Sequence, residues 1–151
     1  MDNNIEKARG YAIYLLKLSD KTYKEIYTKL TKKGFSFEIA TLVSNEMQER
    51  GYISDLNFAK NYILQKSKYA NFGKKRIIID LIKKGISKDN ILIAFEELNN
   101  DDEINELESA KEALFKKTKG SDDWKLDFAS KKKIYDFLLR RGFSYDIIRR
   151  L

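Results

Sequence analysis

This sequence contains clusters of lysine and arginine whose spacing is suited to binding anions. One triplet is Lys74-Lys75-Arg76, and a second triplet, Lys131-Lys132-Lys133, precedes a similar helical pattern further along. Each triplet is predicted to begin a helix, where cations oppose the helix dipole at a cost of about 0.3 to 1 kcal/mol each. Free helix N–H groups beside lysines form a site for phosphate or carboxylate. A solvated face with Arg76 paired to Asp80 is the alternative, and the sequence leaves both open.

Pairs of cations stand at the opposite ends of the same predicted helices, each directly before a glycine. They are Lys32-Lys33, Lys83-Lys84 and Arg140-Arg141. The negative end of a helix dipole favours cations at these positions, so a structural role explains them. Contact with a ligand is the alternative. The candidate binding residues are therefore Lys74, Lys75, Arg76, Lys83, Lys84, Lys131, Lys132, Lys133, Arg140 and Arg141.

The composition excludes most catalytic chemistry. The chain has no histidine and no cysteine, which removes Ser-His and Cys-His arrangements, imidazole or thiolate metal sites and disulfides. Neither GxxxxGK[ST] nor GxGxxG occurs. We therefore expect no enzyme activity, no metal and no cofactor.

The charge balance favours an anionic partner. A net charge of +7 over 151 residues makes nucleic acid the commonest candidate. No apolar run approaches the roughly 20 residues of a membrane span, and the opening MDNNIEKARG lacks the apolar core of a secretion signal. We expect a cytoplasmic protein that does not enter a membrane.

A spaced pattern of two apolar residues, a glycine and a further apolar residue occurs three times. The glycines lie roughly 50 to 60 residues apart, a period typical of stacked repeats. Apolar residues at helical spacing surround each pattern, and no proline interrupts them. The sequence therefore predicts an all-α, curved array of three tandem three-helix repeats: repeat 1 (residues 1–50), repeat 2 (51–99) and repeat 3 (100–151). The three patterns are Ile26, Leu30, Gly34, Phe35; Ile77, Leu81, Gly85, Ile86; and Ile134, Leu138, Gly142, Phe143.

The glycines are predicted to sit just past a helix end in a left-handed conformation. That geometry brings the residue after the glycine against the residue that lies four positions before the glycine. All three such pairs are apolar. A serine follows each pair and is expected to cap the third helix of its repeat. The serines are Ser36, Ser87 and Ser144.

Several aromatic residues flank the basic segments and admit two interpretations. Tyr69 and Phe72 border the turn before Lys74 and could stack on bases, or could close a small helical core. Tyr52 and Asp55 in GYISD are most simply a hydrophobic staple and a cap for the next helix.

Several segments, in this order, resemble the RecX family of bacterial recombination regulators. They are KARGYAIYLLKL, KKGFSFEIA, GYISDLNFAKNYI, FGKKRIIIDLIKKGI and KKKIYDFLLRRGFSYDIIRR, and they cover essentially the whole chain. Proteins of this family are all-helical arrays of three-helix repeats, in agreement with the pattern above. Ser54 and Asn57 in the GYISDLNFA segment are modest departures from the family pattern.

The resemblance implies a small non-enzymatic modulator of RecA. Such proteins lie in the groove of the RecA filament on single-stranded DNA and mainly inhibit its ATPase and strand exchange. We therefore expect the RecA filament as partner, with contact to single-stranded DNA, and a monomer in solution. A general nucleic-acid-binding helical module is the alternative, supported by the recurrent basic turns and opposed by the lack of a recognisable reading helix.

Overall fold

The computed structural model describes residues 2–151, with side chains from Asn3 onward, and this part of the chain is all-helical. The predicted fold class is confirmed. Repeat 1 contributes α1 (Asp2–Leu18), α2 (Tyr23–Lys33) and α3 (Phe37–Glu49); repeat 2 contributes α4 (Asp55–Leu64), α5 (Lys74–Lys83) and α6 (Lys88–Asn100); repeat 3 contributes α7 (Glu106–Thr118), α8 (Phe128–Arg140) and α9 (Tyr145–Ile148).

Each repeat has a cluster of buried apolar residues, and the first cluster also includes Ile53 from the start of repeat 2. One cluster runs from Ala8 to Ile53, a second from Ala59 to Leu98 and a third from Ala110 to Ile148. In each, residues of all three helices meet, because apolar residues three and four apart form one face of every helix. The limits of the three repeats, 1–50, 51–99 and 100–151, stay a prediction.

The three glycine joints between second and third helices share one geometry, as predicted. Gly34, Gly85 and Gly142 have φ angles of 111°, 88° and 98°. The N–H of the next residue donates to the carbonyl five residues back at 3.2, 3.1 and 3.1 Å, which is the Schellman arrangement. Left-handed φ favours glycine because a side chain there is strained.

The predicted serine caps are also confirmed. Ser36, Ser87 and Ser144 each accept a hydrogen bond from the backbone N–H three residues on, at 3.2, 3.2 and 3.4 Å. The following helix start is therefore fixed relative to the preceding helix end. This pairing sets the angle between the second and third helices of every repeat.

The joints between repeats use the same backbone device. Gly51 after α3 has φ 81°, and Asp102 after α6 has φ 55°. The N–H groups of Tyr52 and Glu103 donate to the carbonyls of Met47 and Leu98, both at 2.9 Å. An aspartate thus takes the place of glycine at the second of these joints.

The third repeat departs from the other two near its middle. A 3-10 turn, Asp123–Lys125, precedes α8 in the long α7–α8 connection, and α9 spans only four residues.

Among the helices described between residues 2 and 151, none is long and apolar enough to cross a membrane.

Candidate nucleic-acid interface

The first junction between repeats is built at the start of α2. The hydroxyl of Thr22, the N-cap residue, donates to the carbonyl of Lys84 at 2.6 Å. The N–H of Tyr23 donates to the Asp55 carboxylate at 3.0 Å. Asp55 was predicted to cap its own helix and that prediction is wrong, because Ser54 caps α4 and Asp55 reaches back to repeat 1. Burial against the junction raises the pKa of Asp55.

The second junction repeats this arrangement at the start of α5. Gly73 N–H donates to the carbonyl of Arg141 at 2.7 Å, and Lys75 N–H donates to that of Gly142 at 3.2 Å. Lys74 N–H donates to the Glu106 carboxylate at 3.0 Å, and burial raises the pKa of that carboxyl. The N–H groups predicted to be free for phosphate or carboxylate are therefore not free, because the Glu106 carboxylate and two carbonyls of repeat 3 accept from them.

Two of the three joint glycines pack against the preceding repeat. A Cβ on Gly142 would lie 2.6 Å from the backbone N of Arg76, and a Cβ on Gly85 would lie 2.4 Å from the Cβ of Lys24. At Gly34, by contrast, no described atom lies within 4 Å of such a Cβ. The glycine joint thus serves the fold of its own repeat and, at Gly85 and Gly142, the contact with the preceding repeat.

Arg141 holds the second junction together. Its guanidinium donates to the carbonyl of Asn71 at 3.0 Å and to that of Ala70. These carbonyls follow a π-helical turn, Gln65–Tyr69, that ends α4. Burial and the nearby charge of Arg76 lower the pKa of Arg141. These hydrogen bonds give Arg141 a structural role, and its contact with a ligand stays a prediction.

Phe72 lies beneath two guanidinium groups at this junction. The Cζ atom of Arg76 is 3.9 Å from the ring centroid, and that of Arg141 is 4.6 Å away. Each such contact is worth about 0.5 to 1 kcal/mol at an exposed site.

The Arg76–Asp80 pair does not form among the described residues, since Asp80 accepts a hydrogen bond from Tyr62 at 3.1 Å instead. Phe72 is occupied by arginines, whereas Tyr69 remains 62% exposed.

Lys84 occupies at the first junction the place that Arg141 holds at the second. Its ammonium lies 5.7 Å from the ring centroids of Phe58 and Tyr62 and 3.9 Å from the Glu25 carboxylate. Together with its carbonyl contact to Thr22, this makes Lys84 partly structural. Its ammonium still borders solvent.

A basic cleft opens where repeats 1 and 2 meet. Its volume is about 280 Å³, and cations of α2 face cations at the end of α5 across it. Five ammonium groups and one carboxylate leave a local excess of positive charge, which attracts phosphate. The cleft is lined by Lys24, Glu25, Thr28, Lys29, Lys32, Lys83 and Lys84.

Sequence reasoning selected Lys83 and Lys84 but missed Lys24, Lys29 and Lys32 as members of one site. The signal was available in the repeat itself. Lys24 in α2 stands at the same distance before the glycine as Lys75 in α5. Contact between the glycine joint of one repeat and the helix start of the preceding repeat then brings the two sets of cations together.

The second junction gathers a similar group of exposed cations. Lys74, Lys75 and Arg76 begin α5 and are all exposed, and Gly142 packs directly on Arg76. The exposed Arg140 stands two residues before that glycine. Predicted residues from opposite ends of two helices therefore share one region.

The triplet Lys131-Lys132-Lys133 lies apart from these junctions. It was predicted to begin a helix and that prediction is wrong, because α8 begins at Phe128 with Asp127 as its N-cap. The Asp127 carboxylate accepts a hydrogen bond from the Ser130 N–H at 2.7 Å. The three lysines are exposed about one turn inside the helix, where they do not face a junction partner among the described residues.

The described residues contain no group of three or more acidic side chains that could hold a metal ion. The arrangement of the lysines and arginines suits binding of an extended anion. Their positive charge is concentrated at two successive repeat junctions, which rigid helices hold in place.

The fold and this surface define an all-helical repeat protein with basic junctions. The family model described as RecX, third three-helix domain, matches residues 104–151. The regulatory protein RecX of Finegoldia magna is 37% identical over 87% of this chain and 63% of its own length. That of Clostridium perfringens strain SM101 is 32% identical over 96% of this chain and 68% of its own length. The chain belongs to the RecX family.

A solved structure agrees with this assignment. The crystal structure of RecX from Lactobacillus salivarius superposes with a TM-score of 0.84 at 26% sequence identity. The match covers 99% of this chain and 95% of that one. The chain spans between 63% and 66% of the length of the first curated relatives that it matches.

Proposed function

We propose that this protein regulates homologous recombination by binding in the groove of the RecA filament on single-stranded DNA, where it mainly inhibits RecA ATPase and strand exchange. The observation that carries the proposal is the basic cleft between repeats 1 and 2, together with the exposed cations at the second junction. Membership of a family whose curated relatives are named regulatory proteins supports it.

The repeat architecture suits a filament groove. A repeat array offers a long, continuous face, and each repeat contacts mainly its neighbours. Successive junctions present positive charge at intervals set by the repeat, which matches a periodic anionic surface better than a single compact patch. On this account the protein acts as a cytoplasmic monomer, without catalysis, and its contacts alone change the behaviour of the filament.

General binding of nucleic acid is the second candidate, and the five lysines of the cleft favour it. Phosphate contacts supply affinity without sequence preference and depend strongly on salt. On this account RecA would not be needed for binding.

One pair of titrations separates the two candidates. The protein is added to RecA-coated single-stranded DNA while ATP hydrolysis is followed, and in parallel to bare single-stranded DNA at two salt concentrations. We expect inhibition at protein concentrations well below that of RecA. Salt-dependent binding to bare DNA without any effect on ATP hydrolysis would instead establish the general module.

A further inference from the structure

The outward face of α5 carries isoleucines that its fold does not require. Ile77 is 1% exposed and supplies the core of repeat 2, whereas Ile79 and Ile82 are 54% and 43% exposed. Residues three and four apart are neighbours on a helix, so these two side chains adjoin each other. Lys75 stands one turn before Ile79, and Lys83 one turn after it. The face is therefore an apolar pair with an ammonium group at either end.

The other repeats do not share this feature. At the same distances before the joint glycine, α2 carries Thr28 and Thr31, and α8 carries Asp136 and Leu139. Threonine is compatible with the position in α2, so the geometry of the second helix does not demand isoleucine. The apolar pair is specific to the middle repeat.

An exposed apolar pair is suited to a protein surface and not to a phosphate chain. Covering isoleucine removes apolar area from water, at roughly 25 cal/mol per Å², and a charged sugar-phosphate chain offers little apolar surface for this. The flanking ammonium groups of Lys75 and Lys83 favour carboxylates at the edge of whatever covers the isoleucines.

We propose that Ile79 and Ile82, with Lys75 and Lys83, form a docking face for an apolar protein patch edged by carboxylates. The lysine cleft beside it takes phosphate. This proposal rests on the proposed function, since it divides the contacts with one filament between its protein and its nucleic acid. Lys83 belongs to both surfaces and connects them.

The double variant Ile79→Thr/Ile82→Thr tests the docking face, because it installs the residues that α2 carries at the same places. Helicity is checked by circular dichroism, and the variant is compared with the wild type in inhibition of RecA ATPase and in binding to bare single-stranded DNA. Leu18→Ser, which alters a 65% exposed leucine at the end of α1, is the matched control.

We expect the concentration for half-maximal inhibition to rise about tenfold or more in the double variant, with DNA affinity within about twofold of the wild type. Equal inhibition by variant and wild type overturns the docking face and leaves the proposed function standing. A wild type that does not inhibit at all overturns both. Light scattering gives a third outcome: self-association that the double variant abolishes assigns the face to a second copy and overturns the proposal.

Discussion

The amide of Lys74 donates a hydrogen bond to the carboxylate of Glu106, at 3.0 Å, across the junction between repeats 2 and 3. The amide of Tyr23 makes the same bond to Asp55, at 3.0 Å, one repeat earlier. In both cases the acidic residue that begins the first helix of a repeat accepts a hydrogen bond from the preceding repeat. The donor is an N–H group at the start of that repeat's second helix, which has no acceptor within its own helix. The carboxylate therefore stacks successive repeats, and the same contact brings the basic helix ends together.

Gly73→Ala tests how closely the second junction is packed. Gly73 has an ordinary φ of −79°, so alanine is not strained there, but its Cβ would lie 2.2 Å from the carbonyl carbon of Gly142. We expect a loss of about 2 kcal/mol or more in the free energy of unfolding, measured by urea denaturation.

Gly10→Ala is the control for this substitution. Gly10 lies within α1, no described atom is within 4 Å of an added Cβ, and alanine there should stabilise the protein by about 0.5 to 1 kcal/mol. A Gly73→Ala protein as stable as Gly10→Ala would show that the two repeats do not pack as described.

Arg140→Ala and Arg141→Ala should separate binding from stability. Arg141 donates to the carbonyls of Asn71 and Ala70, so we expect its removal to cost about 1.5 to 3 kcal/mol in the free energy of unfolding. Arg140 is exposed, and its removal should change stability by less than about 0.5 kcal/mol while weakening binding to single-stranded DNA. Equal unfolding midpoints in urea for the two variants would contradict the structural role of Arg141.

The ion pair between Arg9 and Glu46 predicts a pH dependence of stability. Arg9 donates to both carboxylate oxygens, at 2.7 and 3.0 Å, and this lowers the pKa of Glu46 below its ordinary value of 4.5. A carboxyl with a lowered folded-state pKa contributes stability above its unfolded value and loses that contribution as the pH falls through its folded value.

Glu46→Gln should therefore lower the melting temperature at pH 7, and the difference from the wild type should shrink as the pH falls below about 4.5. Glu38→Gln, an exposed position in the same helix, is the control. A difference for Glu46→Gln that is the same at pH 7 and pH 3 would show that the ion pair does not supply it.

Substitutions in the basic cleft should change the salt dependence of DNA binding. Replacing Lys29, Lys32 and Lys83 by glutamine removes three ammonium groups from the cleft. Each lost phosphate contact reduces the slope of log K against log salt by about 0.7 for a single strand, so we expect a reduction of about 2.

Glutamine at Lys131, Lys132 and Lys133 removes the same charge from a surface outside the junctions. Both triple variants lower the net charge equally, so a comparison isolates the position of the lysines. Equal losses of slope would indicate that overall charge, and not the cleft, determines binding.

The repeat pattern and the joints could be read from the sequence because local chemistry determines them. Gly34, Gly85 and Gly142 each require left-handed φ, and the residues around them are fixed by helix capping. The serine caps follow from the same rules. Such features depend on residues within one turn of each other, so spacing alone reveals them.

The contacts between repeats could not be read in this way. Asp55 sits at a helix start, where a cap is the simplest explanation, and its actual partner is Tyr23 in another repeat. Likewise α8 was predicted to begin at the lysine triplet, but it begins at Phe128 because the side chain of Asp127 caps it. Asp55 and Glu106 do recur at equivalent positions of repeats 2 and 3, but their spacing does not reveal that each accepts from an N–H group of the preceding repeat.

Cryo-electron microscopy of RecA filaments on single-stranded DNA, mixed with this protein, tests the central claim most directly. We predict added density along the filament groove, with the cleft between repeats 1 and 2 and the exposed cations of the second junction turned toward the filament. Filaments without added density in the groove, or with the protein bound through the opposite side of the array, would contradict it.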